Sequence, residues 1–255
     1  MRELAGHRGL KGDPTSEVVV HVLGCFSVSV NGSTVDLAPT AQRVLALLAL
    51  DDRPRERELV AGTLWPDSSQ TEAAASLRTA LWRIRRRESH LIICDNRAIR
   101  LSPGTTVDLQ MMATGVRELV NGEWSDTAGV DELLKLDLLP GWYDDWVIAE
   151  RERARQLRLH GLEALARHQA AREKFTDALE TALTAVRCDE LRESAHRVVI
   201  EIHAAEGNLS EAVRHYANFA ARLKAELNLD PSPRMVQLIE SLMRRSHVPA
   251  MVTLP

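Results

Sequence analysis

The sequence has no apolar run approaching the ~20 residues that a membrane-crossing helix needs, so no membrane span is expected. Its first seventeen residues carry charges and three glycines but no apolar core, and no signal peptide is expected there. Only three cysteines occur (Cys25, Cys94 and Cys188), far apart and without a CxxC pair. They exclude a disulfide framework and fit a reducing cytoplasm. The histidines supply no HExxH motif. His196 and His203, and His160 and His168, are spaced to share helix faces, but without further ligands no metal site is expected. Asp144-Asp145 imitates an acidic pair, yet adjacent residues point in different directions. With Trp142 and Trp146 the stretch reads as a loop anchor of the helical bundle. No Ser-His-Asp or Cys-His context is recognisable. No catalytic residue, cofactor or enzymatic activity is therefore expected.

A net charge of -4 over 255 residues argues against a polyanion partner only as an average. Residues 18–105 hold 11 arginines, no lysine and 9 acidic residues, a net of +2. Residues 1–17 balance at 3 against 3, so 106–255 carries 18 basic and 24 acidic residues, a net of -6. Within 76–100, seven arginines face only Glu88 and Asp95. Such a concentrated basic stretch is the footprint of a polyanion partner.

Residues 1–17 are aperiodic and read as a disordered arm, and 246–255 as a flexible tail. Val18–Leu23 is β-branched and Phe26–Val30 alternates with period two, so both predict strands. Asn31-Gly32 predicts a hairpin turn, and Thr34–Leu37 its return strand. The period then changes. Thr40 is placed to cap a helix ending near Leu50. A second short helix stops before Pro66, and a third runs from about Thr71 to Glu88. Leu91–Cys94 and Ala98–Leu101, around Asp95-Asn96-Arg97, predict a β-hairpin.

From Asp108, read as the cap of a helix reaching Val120, strands give way to helices. They are expected at Val147–Lys174, Thr176–Arg187, Leu191–Ala205, Ser210–Leu227 and Ser232–Arg244. Phe175–Leu179 and Leu209–Val213 lie thirty-four residues apart, the tetratricopeptide period, and both resemble the start of a repeat's second helix. The expected fold is mainly α with small β. An N-terminal winged helix-turn-helix (antiparallel sheet, three helices, β-hairpin wing) is followed by an all-α tetratricopeptide-like bundle.

The third helix is amphipathic in an unusual way. At 100° per residue, Ala73, Leu77, Ala80, Leu81 and Ile84 form an apolar stripe. Opposite them stand Ser76, Arg78, Thr79, Trp82, Arg83, Arg85, Arg86 and Arg87. Arginine's planar fork bridges phosphate oxygens or reads guanine, and a helix of this shape fits a major groove. Packing under the hairpin is the expectation for Trp82. The basic C-terminal end also complements the helix dipole.

Leu23–Val28 with Asn31-Gly32, Gln42–Leu50, Leu64-Trp65-Pro66 and Ala75–Arg86 resemble Streptomyces antibiotic regulatory proteins (SARPs). So do Leu139–Trp142, Trp146-Val147, Glu150–Arg153 and Glu226–Ser232. The resemblance covers nearly the whole chain in order; Arg97-Ala98 stand where members carry Gly-Tyr. It implies an OmpR-type winged helix at 18–105 and a bacterial transcriptional activation domain at 108–245. It also implies an activator of antibiotic biosynthesis, cytoplasmic and nucleoid-associated, that binds tandem repeats of double-stranded promoter DNA near the -35 element. Its implied partners are a second protomer on those repeats and RNA polymerase, through sigma region 4 and the alpha C-terminal domain. No GxxxxGK[ST] occurs, so the small form without an NTPase module is expected. The expected DNA-binding residues are Ser76, Arg78, Thr79, Trp82, Arg83, Arg85, Arg86, Arg87 and Arg97. The expected polymerase contacts are Trp65, Asp67, Ser68 and Gln70. A helical-repeat scaffold whose winged domain binds protein, and a ligand-responsive repressor, are the alternatives.

Overall fold

The computed structural model describes residues 17–123 and 129–246, so the expected arm (but for Glu17) and all but the first residue of the expected tail lie outside the described residues. The chain falls into two compact units. One holds the described residues to Met111 together with Asp137–Arg151; the other holds Met112–Leu136 and the chain from Glu152 onward.

The first unit opens with β1 (Val18–His21) and β2 (Ser27–Val30), antiparallel with Val20 opposite Val28. The positive φ of Asn31 and of Gly32 makes the turn that the Asn-Gly pair predicts. The return strand β3 is only Ser33–Thr34, shorter than Thr34–Leu37, because Leu37 turns into the core instead of continuing the ladder. Helix α1 (Pro39–Ala49) begins with proline at its first position, and Thr40 is inside the helix, not its cap. Then come β4 (Arg55–Glu56), α2 (Arg57–Leu64), α3 (Gln70–Arg87), β5 (Ile92–Cys94), β6 (Ala98–Leu101) and β7 (Thr106–Val107). Neither β4 nor β7 is expected from the sequence, since two residues show no alternation. β7 lies parallel to β1, so the opening sheet is mixed, in the order β3-β2-β1-β7. β4 adds to the hairpin to give a three-stranded wing, β4-β6-β5.

Asp108 begins α4 (Asp108–Asn121) but does more than start that helix. Its buried carboxylate accepts the backbone N–H of Val22 at 2.9 Å and of Leu23 at 3.0 Å, amides left unpaired where β1 ends. Burial pushes this carboxyl up, while those amides and His21 oppose the shift. Residues 137–151 form a strap in the same unit. Gly24 N–H donates to the Asp137 carbonyl, Leu139 N–H to the Val22 carbonyl, and Leu23 bridges Leu138. The Trp142 ring lies 5.6 Å from Phe26 and 6.3 Å from Trp146. The tryptophan loop therefore anchors within the unit that holds the sheet, and the expectation of a bundle anchor is corrected. Arg151 fixes the strap by donating to the carbonyls of Leu138, Leu139 and Trp142.

The second unit is helical, with the short α5 (Val130–Leu133), then α6 (Asp145–Ala171), α7 (Phe175–Cys188), α8 (Glu193–Glu206), α9 (Leu209–Leu227) and α10 (Pro233–Ser246). The unit boundary passes through α4 and α6. α7 and α9 start thirty-four residues apart from nearly equal backbone angles, Lys174 at φ -83, ψ 63 and Asn208 at φ -86, ψ 60. Ala178 and Ala212 occupy the same buried place in the first turn of each. Small residues bring the helices close. A Cβ on Gly161 would lie 2.6 Å from both Leu134 and Val116, and one on Gly115 2.5 Å from Val130.

Candidate nucleic-acid interface

Helix α3 starts with a capping box. The Ser69 hydroxyl accepts the Glu72 amide, and the Glu72 carboxylate accepts the Ser69 amide at 3.0 Å. The Ser69 hydroxyl and amide together hold the Glu72 carboxyl below its usual range. Ala73, Leu77, Ala80, Leu81 and Ile84 are all buried, so the apolar stripe packs as its spacing predicts. The helix ends in Arg85, Arg86 and Arg87, and Glu88 leaves the helical conformation.

The opposite face is exposed at Arg78, Thr79, Trp82, Arg83, Arg85, Arg86 and Arg87, while Ser76 is half-buried. Among the described residues no carboxylate lies within 4.0 Å of Arg78, Arg83, Arg85 or Arg86. Arg87 reaches Asp36 at 3.7 Å, with both side chains mostly in water. Arg83 donates to the Thr40 hydroxyl at 3.4 Å. Trp82 does not pack under the hairpin; its side of α3 is the arginine side, and it is 58% exposed. The Arg86 guanidinium instead lies over its ring, 5.2 Å from the centroid. The Thr79 hydroxyl donates back to the Ala75 carbonyl at 3.0 Å.

Arg97 is exposed at the tip of the wing. The turn beneath it is closed by Asp95, whose carboxylate accepts the Arg97 and Ala98 amides, each at 2.7 Å. Those amides hold the Asp95 carboxyl below its ordinary range. A groove of about 660 Å³ runs between α2, α3 and the wing, with Arg57, Gln70, Arg78 and Asn96 in its walls. The structure thus gathers Arg78, Gln70 and the wing turn around one hollow.

In the loop before α3, Trp65 is half-buried and ends α2, while Asp67 and Ser68 are exposed, as is Gln70, which the structure places at the first position of α3. Arg43 holds this loop from behind by donating to the Leu64 carbonyl at 2.9 Å and pairing with Asp144. The sequence assigns Arg43 no role, because its partners lie 21 and 101 residues away. The strap adds Tyr143, 81% exposed, to the same surface, where it lines a hollow with Trp65, Pro66 and Asp67.

Among the described residues no group of three or more His, Cys, Asp or Glu side chains is placed to hold a metal ion. No helix among them is long and apolar enough to cross a membrane.

Residues 131–243 match the family model of the bacterial transcriptional activator domain. Among solved structures, 91% of the chain superposes with a TM-score of 0.70 and 19% identity on Mycobacterium tuberculosis EmbR, a structure in complex with a low affinity phosphopeptide. The chain spans 66% of that protein's length, and at this identity the likeness is one of fold. No curated protein sequence matches.

Proposed function

We propose that this chain is a transcriptional activator of the SARP type, a reading supported by the activator-domain match over 131–243, and that it binds promoter DNA sequence-specifically. It does so through α3 in the major groove, recruits RNA polymerase, and regulates a pathway of secondary (antibiotic) metabolism. The observation that carries the reading is the exposed face of α3, where Arg78, Arg83, Arg85 and Arg86 lack carboxylate partners among the described residues and only Arg87 reaches one, Asp36. Bare arginines at this density fit a row of phosphates, with the remainder reaching base edges. Arg78, early on that face and on the groove wall, reads bases together with Thr79 and Ser76. Arg83, Arg85, Arg86 and Arg87 grip the backbone, and Arg97 does so from the wing. Trp65, Asp67, Ser68 and Gln70 present a polar loop to the polymerase, at sigma region 4, with the alpha C-terminal domain as a second contact.

A single recognition helix reads only a few base pairs, too few to single out a promoter. Two protomers therefore occupy tandem repeats near the -35 element, about one helical turn apart. Footprinting on the promoters beside the gene, at several salt concentrations, is the test. A salt-sensitive double footprint that is lost when one repeat is moved by half a helical turn is expected. Protection that ignores both salt and spacing, with one protomer per site, overturns the reading.

A further inference from the structure

The middle of α3's charged face holds an apolar spot. Trp82 is 58% exposed and has Arg86 stacked on its ring. Thr79, three residues before it and exposed on the same face, uses its hydroxyl proton on the Ala75 carbonyl. Neither residue supports the helix from inside, since the buried stripe runs through Leu77, Ala80, Leu81 and Ile84. An indole left this open on a soluble helix exposes apolar area to no structural gain. Its arginine neighbour limits that cost and fixes the ring by a cation–π contact. In a major groove the apolar mark offered by a base pair is the thymine 5-methyl group, which side-chain carbon recognises.

We propose that Trp82, flanked by Thr79, is a specificity-determining residue that reads the 5-methyl group of a thymine, with Arg86 as its positioning residue. The proposal rests on α3 entering the major groove. Arg78 then selects by hydrogen bonds, and one turn further along Trp82 selects by methyl contact. The two residues stand four apart on one face, so they address neighbouring base pairs of the same half-site.

The test uses the full chain and a duplex that it selects from a random library. Each thymine of that duplex is replaced in turn by deoxyuridine, which removes only the methyl group and keeps every hydrogen-bonding edge. For the wild type, one or two positions should lose about threefold to tenfold in affinity, the scale of one buried methyl group. Trp82→Ala should bind the unmodified duplex as weakly as the wild type binds the uridine duplex, and should not distinguish the two. Trp82→Phe should keep part of the discrimination. Trp82 is exposed, so both variants should melt with the wild type, which calorimetry checks.

If Arg78→Ala changes base preference while the wild type ignores every thymine methyl group, α3 lies in the groove and the Trp82 proposal is overturned. Trp82→Ala weakening all sequences equally also overturns it, since the ring then rests on sugar and phosphate. If the library yields no enriched duplex, the DNA-binding reading itself fails and takes the proposal with it.

Discussion

Arg192, in the helical unit, sits with its Nε 2.6 Å from Glu163, and both side chains are largely out of water. Ser194 donates to the same carboxylate oxygen at 2.6 Å. Nearby, Arg155 pairs with Glu152 and Asp189, Arg167 with Glu201 and Arg222 with Glu190. On α3 the same residue type stands in the open, over an indole at Arg86 or beside a hydroxyl at Arg83. One chain thus uses arginine in two ways. Paired within the helical unit it is structural and its charge is spent on the protein itself. On α3, Arg78, Arg83, Arg85 and Arg86 have no carboxylate within 4.0 Å among the described residues and Arg87 has only the water-exposed Asp36, so on the proposed reading their charge serves DNA. The acidic average of the sequence conceals this, because pairing and counting are different measures of charge.

Glu163→Ala should break the paired side of the contrast most severely. It strands Arg192 in a half-buried place and should cost about 3 kcal/mol in urea unfolding. Unchanged unfolding would mean that the helical unit's pairs are as dispensable as surface pairs. Replacing Arg83, Arg86 and Arg87 together with alanine should do the reverse. Stability should change by no more than about 0.5 kcal/mol. DNA affinity should fall about a hundredfold, and the slope of log K against log salt should drop by about 2 to 3. Retained affinity with an unchanged slope would remove α3 from the phosphates.

A pH titration sharpens the comparison, because the helical unit also buries histidines that α3 lacks. His196 and His215 touch at 2.9 Å. His215 is held down at about 4 by burial and by the charges of His196 and His203, and burial lowers His196 as well. In the unfolded chain both titrate near ~6.5. Between those values the unfolded chain takes up protons that the folded unit refuses, so stability is complete above about 6.5 and is lost as the pH falls toward 4. His215→Gln should remove about 1–2 kcal/mol of that decline. Melting curves of wild type and variant that run parallel from pH 7 to 4.5 would contradict it.

The smallest effect concerns the bare loop. Asp67 and Gln70 are exposed, and Asp67 has no cation within 4.0 Å among the described residues. Asp67→Ala with Gln70→Ala should leave DNA affinity within about twofold. Run-off transcript should fall severalfold at equal promoter occupancy. Full transcript levels would place the polymerase contact elsewhere.

Helix α3 was legible because local signals agree: a stripe at helical spacing, Ser69 and Glu72 three apart, and a basic last turn. The wing's hairpin was legible from two short, mostly apolar runs, Leu91–Cys94 and Ala98–Leu101, on either side of the Asp95-Asn96-Arg97 turn. What the sequence hid depends on distance along the chain. Thr40 has the side chain of a cap, but Pro39 already occupies the first helical position, so Thr40 lies inside α1. The roles of Asp108 and Arg43 come from partners 86 and 101 residues away, which no local pattern encodes. β4 and β7 exist only because another strand offers them a ladder. Trp82 was misplaced because a large aromatic is ordinarily buried; its own position on the α3 wheel said otherwise.

The strap has a consequence for synthesis on the ribosome. Strand β1 and the Leu23 turn emerge early, yet Asp108, Leu138 and Leu139, which bind the backbone there, are made much later. The first unit is therefore not finished when α3 and the three-stranded sheet β4-β6-β5 are. Until residue 151 has left the ribosome, the nascent chain holds Val22 and Leu23 without their lasting partners, and Phe26 without Trp142. A stop placed after Leu101, where the wing's last strand ends, would release a fragment open along that seam. A stop after Arg151 would release a closed one.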